Sequence, residues 1–95
     1  MGVLLTQIPT PVLPLNSNVQ VLGANPNRKS LVVQLPNGTL AATFINFGSP
    51  ATSNTLQLIP GQVHTFSGDT LSHAPVHVFC PVGLPVGILV MYEGT

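Results

Sequence analysis

"SLVVQLPNGTLAATFINF", residues 30–47, holds two apolar runs separated by Asn37 and Gly38. Leu31, Val33 and Leu35 recur at every second position, so they share one face of an extended strand. A helix needs apolar positions three or four apart over ten or so residues, and nowhere in this chain does that period persist. Asn and Gly tolerate positive φ, so the spacing predicts a hairpin joining 30–35 to 40–47.

The same grammar extends in both directions. "LIPGQV" places Pro60 and Gly61 at the two central positions of a turn, predicting a second hairpin between 55–59 and 62–67. Further β-branched runs occur at 18–24, 75–80 and 86–92, with Val76 and Val78 alternating like Leu56 and Leu58. About seven short strands at this spacing make an all-β fold, a small antiparallel β-sandwich or jelly-roll-like barrel.

An extended N-terminal arm, residues 1–17, precedes the sandwich domain of residues 18–95. Pro9, Pro11 and Pro14 remove backbone donors and fix φ, so this segment is neither helix nor central strand. It nevertheless carries Val3, Leu4, Leu5, Ile8, Val12, Leu13 and Leu15, more apolar surface than a solvated tail holds. The arm should therefore lie on its own domain, on a neighbouring subunit or on a larger partner. The last strand is apolar on both faces, with Ile88 and Val90 on one, Leu89 and Met91 on the other, and Tyr92 beyond. Such a strand is central in the sandwich or forms a subunit interface; low charge in a small domain favours the interface.

Charge is the largest departure from a typical soluble chain. Only 4% of the 95 residues are charged, and Arg28, Lys29, Asp69 and Glu93 sum to zero. Solubility as a monomer rests on mixed surface charge, so a chain this bland should associate. Two cations, one Tyr and no Trp cannot neutralise phosphates or stack bases, which argues against a nucleic-acid partner. The 44% hydrophobic content argues against disorder. A single cysteine, Cys80, rules out an internal disulfide framework. The apolar N-terminus lacks a basic region and is broken by prolines, so it reads poorly as a signal peptide. "CPVGLPVGILVMY" is too short and interrupted to span a bilayer as a helix, and no membrane insertion is expected.

Catalytic and metal-binding patterns are weak. Asp69, Ser72 and His73 are triad residue types crowded into one loop, whereas triad members come from separate elements, and there is no G-x-S-x-G elbow. His64, His73, His77 and Cys80 are ligand types, but an odd spacing puts His77 and Cys80 on opposite strand faces and Pro75 intervenes. No metal or other cofactor is expected. Asp69 and Glu93 are the only acids available for a carboxylate pair.

Arg28 and Lys29 follow the turn residues Asn25, Pro26 and Asn27 and precede a strand, placing them at the rim of a sheet. Arg28 either pairs across strands with Glu93 or Asp69, or serves as a docking charge for an acidic or carbonyl-rich partner.

"NPNRKSLVVQ", then "FINFG" with a Ser/Ala/Thr-rich loop, then "LQLIPGQVHTFSG" resembles small virion structural proteins of tailed bacteriophages, over residues 25–68. Those proteins read as Asn, a basic residue, an apolar strand ending in Gln, an aromatic strand ending in Phe-Gly and a Pro-Gly turn. This chain departs from the pattern at Leu35, where they carry Asn after the Gln. The resemblance implies a non-enzymatic, β-rich, oligomeric protein that decorates or cements a phage capsid, with the major capsid protein as partner. The arm residues Val3 to Leu13 and Arg28 are then expected to contact the shell, and Ile88 to Tyr92 to join subunits, as a trimer. The alternatives are a tail or fibre component, or a non-catalytic carbohydrate-binding module using a loop face near His64, His73 and His77.

Overall fold

The computed structural model describes residues 5–36, 42–84 and 88–95. Eight strands occur among them: β1 Leu5–Ile8, β2 Ser17–Leu22, β3 Ser30–Gln34, β4 Thr43–Phe47, β5 Leu56–Leu58, β6 Val63–Ser67, β7 Val76–Cys80 and β8 Val90–Gly94. A 3₁₀ turn, Gly68–Thr70, follows β6.

The strands form two four-stranded antiparallel sheets, in the orders β1-β8-β3-β6 and β2-β7-β4-β5. Leu31, Val33 and Met91 from the first sheet and Ile45, Leu58, Val76 and Val78 from the second are all within 1% of complete burial, so the sheets pack face to face. Each such side chain contributes roughly 1.5–3 kcal/mol by leaving water. Leu13 and Leu84, joined by an isolated bridge, close one end of this core.

The pairing is nested: β1 with β8, β2 with β7, β3 with β6, β4 with β5. The partners Leu5 and Gly94, Ser17 and Cys80, Ser30 and Ser67, and Thr43 and Leu58 lie almost symmetrically about Ser49 and Pro50. The chain is thus one long hairpin rolled on itself, and β3–β8 and β4–β7 contacts complete the sheets. This is the strand order of a jelly roll, two Greek keys that share a core.

Both predicted hairpins are corrected by this topology. β3 and β4 lie in different sheets, as do β5 and β6. The Asn37–Gly38 signal itself falls outside the described residues. At Ile59–Gln62 the turn forms, with Gln62 N–H donating to the Ile59 carbonyl at 3.0 Å and Gly61 at φ +85°. A Pro-Gly turn of this hand does not match strand twist in a two-residue hairpin and splays the strands it joins. Here it arches from one sheet to the other, held by Gly61 N–H donating to the Leu35 carbonyl at 2.7 Å.

The segment expected as an arm is largely integral to the domain. Leu5–Ile8 is an edge strand on β8, Ile8 packs on the core, and Thr10 is 4% exposed with its hydroxyl donating to the Leu89 carbonyl at 2.6 Å. The last strand begins later than expected, at Val90, and is central, between β1 and β3.

Candidate functional site

All four charged side chains lie at one end of the sandwich. Lys29 immediately precedes β3, Ser30 opens it, Ser67 closes β6 beside it, Asp69 follows, and β8 ends there with Glu93 and Gly94. Arg28 is the organising residue. Its residue exposure is 1%, its Nε donates to Glu93 Oε2 at 2.7 Å, and the Glu93 side chain is 12% exposed. Nη1 donates to the Ser72 carbonyl at 2.7 Å and the Ala74 carbonyl at 3.0 Å, while Nη2 donates to the Gly23 carbonyl at 2.9 Å. The backbone carbonyl of Arg28 accepts from His73 Nε2 at 3.0 Å, which puts the ring proton on that nitrogen. One guanidinium thereby ties the loop after β2, the loop before β7 and the end of β8.

The docking role considered for Arg28 is therefore corrected. Four of its five N–H donors are engaged inside the subunit, and a side chain this buried cannot meet a partner without breaking those bonds. Lys29 and Asp69 remain as the exposed charges.

The other expected contact residues divide by burial. Leu13, Leu89 and Met91 are 2%, 2% and 0% exposed, so they are core rather than contact surface. Strand alternation explains the split: the inward parity of β8 carries Met91, and the outward parity carries Val90 and Tyr92, both half-buried on the outer face. Leu5, Val12 and Ile88 are exposed, Ile8 faces inward, and Val3 and Leu4 lie outside the described residues.

Neither outer sheet face carries an Asp, Glu, Lys or Arg. On the first sheet, Gln7, Tyr92, Val32 and Thr65 form a continuous row across all four strands. On the second, Asn18, Phe79, Phe44 and Gln57 form the equivalent row, with Gln20, His77 and Asn46 beside it. The Phe44 and Phe79 rings are 6.2 Å apart and half-buried on this outward side. Asn18 Oδ1 accepts from Ala51 N–H at 2.7 Å, which turns its Nδ2 toward His77 Nδ1 at 3.3 Å. This aromatic pair framed by amides had no signature in the sequence beyond alternation, because Phe44 and Phe79 become neighbours only through the β4–β7 register.

The three histidines do not converge. His64 faces inward, stacked at 6.0 Å on Phe66, His73 serves Arg28, and His77 is on the outer face of the second sheet. Cys80 is fully buried. Among the described residues no three His, Cys, Asp or Glu side chains come together. Ser72 Oγ accepts from Ala74 N–H at 3.2 Å, so Ser72 and His73 each serve the loop rather than each other.

No protein family, curated protein or solved structure matches the chain in the comparisons.

Proposed function

We propose that this chain is a structural subunit of a virion, a capsid decoration or cement protein that attaches to a preformed phage shell as an oligomer. The observation that carries the reading is the charge-free outer face of both sheets, in a sandwich whose internal Arg28–Glu93 pair leaves only Lys29 and Asp69 for solvent. Such surface is poorly suited to a dispersed monomer and well suited to burial against other protein. Attachment to the major capsid protein would be driven by removing neutral surface from water, about 25 cal/mol per Å² before ordering costs. Leu5 remains as an exposed arm residue for that contact. The jelly-roll strand order is compatible with the reading, although the fold also serves lectin domains and cupins. No catalytic role is assigned.

The test is a peptide-mass inventory of purified virions of the phage that encodes the chain. A copy number comparable to that of the major shell protein supports decoration. Absence from intact particles ends the proposal.

A second reading, a carbohydrate-binding module, is favoured by the Phe44–Phe79 pair with Asn18, Gln57 and Asn46 around it. Phenyl faces take sugar C–H groups and amides pair with hydroxyls. Glycan-array binding lost in Phe79→Ala would support it, and no signal on any neutral glycan would discard it.

A further inference from the structure

The end of the sandwich opposite Arg28 has the reverse character. Strand directions bring β1, β3, β5 and β7 to a close there, and β2, β4, β6 and β8 begin there. Six of the eight exposed large hydrophobics among the described residues sit at this end: Val12 (54%), Leu15 (70%), Ile59 (51%), Val63 (52%), Val82 (55%) and Ile88 (37%). Four separate segments contribute them. No charged residue of the chain lies at this end. Isolated exposed aliphatics are ordinary, but their collection at one pole, with every charge at the other, is not what single-molecule solubility produces.

Two of its loops are tied to each other. Leu13 and Leu84 exchange backbone hydrogen bonds of 2.9 Å in both directions, and Asn16 N–H donates to the Pro81 carbonyl at 3.1 Å. Gly83, at φ +76°, lets the two loops approach so closely that a Cβ there would stand 2.8 Å from the Leu13 carbonyl oxygen. Loops fixed this way lose little entropy when covered.

We infer that this apolar end is where two copies of the chain meet, pole to pole, about a two-fold axis roughly perpendicular to the strands. The occupant is a second copy because of charge matching. The patch offers no charge to select a foreign partner, and a copy brings the same neutral aliphatic surface, so no ion is buried unpaired. Lys29 and Asp69, at the far pole of every copy, stay hydrated. The inference deepens the proposal above, resting on the chain being an assembly subunit, and it moves the self-contact from the strand face of β8 to the loops at its start.

Sedimentation equilibrium of the purified full chain, without capsids, tests this. The wild type is expected to be oligomeric at tens of micromolar. Leu15→Glu and Val82→Glu, both at exposed positions, should each raise the dissociation constant by about 100-fold or more with unchanged far-ultraviolet circular dichroism. Asn27→Glu, at an exposed position of the opposite pole beside Arg28, should leave assembly intact. A monomeric wild type, an oligomer indifferent to Leu15→Glu and Val82→Glu, or equal dissociation by Asn27→Glu overturns the inference. Variants that stay oligomeric but no longer bind capsids would make this end the shell-docking face and likewise overturn it. Dissociation by Leu15→Glu in a chain absent from virions would leave the inference standing while the virion proposal fell.

Discussion

Arg28 Nε and Glu93 Oε2 are 2.7 Å apart across 65 residues of sequence, with the Arg28 side chain wholly buried. An ion pair in that position is not a surface ornament. Removing Arg28 strands the Glu93 carboxylate and also releases the carbonyls of Gly23, Ser72 and Ala74. Arg28→Ala should therefore destabilise the domain by about 3–5 kcal/mol in denaturant titration. Arg28→Lys should recover little, because an ammonium cannot reach four acceptors through a planar fork. A loss under about 1 kcal/mol for either variant would show that these bonds contribute little to the fold.

Gly83 occupies a left-handed conformation with the Leu13 carbonyl in the way of any side chain. Gly83→Ala should cost at least about 2 kcal/mol, from the backbone conformation and the forced separation of the two loops. The thermal midpoint reports it. Gly23→Ala, with open space around the added carbon, serves as the comparison and should shift the midpoint far less.

Thr43 is completely buried opposite Leu58, and its hydroxyl has no hydrogen-bond partner among the described residues. Thr43→Val keeps the shape and removes an unsatisfied polar atom, so it should raise stability by about 1 kcal/mol. Destabilisation by urea titration would indicate that the hydroxyl is satisfied after all.

Deleting residues 1–8 should do more than detach a tether. It strips β1 from the edge of β8 and takes Ile8 off the core. A loss of about 2 kcal/mol or more is expected from that side chain and its strand pairing. An unchanged denaturation midpoint would mean that the segment contributes nothing to its own domain.

Strand positions were largely legible because they depend on local alternation. Runs read at 30–35, 62–67 and 75–80 appear as Ser30–Gln34, Val63–Ser67 and Val76–Cys80. Strand partners were not, because alternation tells which face a residue takes and is silent about which strand lies alongside. The Pro60-Gly61 turn carried a usable hint: its type II geometry belongs to an arch rather than a tight hairpin. Arg28 divided the same way. Its types of partner, Glu93 or Asp69, were readable from the short roster of acids, whereas its burial depended on loops more than 40 residues away. The two-faced apolar pattern around β8 was readable as a central strand or an interface, and its neighbours β1 and β3 show the central position. The apolar pole could not be read at all, since Val12, Ile59 and Val82 come together only when the sheets close.

Nested pairing about Ser49 and Pro50 sets a timetable on the ribosome. The tip strands β4 and β5 are the first partners available to a nascent chain, while β1 waits for β8 and Arg28 waits for Glu93, the penultimate residue of the final strand. Contacts this distant in sequence close slowly. Until translation of β8 is finished, the first sheet is an incomplete, greasy surface, and chaperone demand during synthesis should peak in that interval.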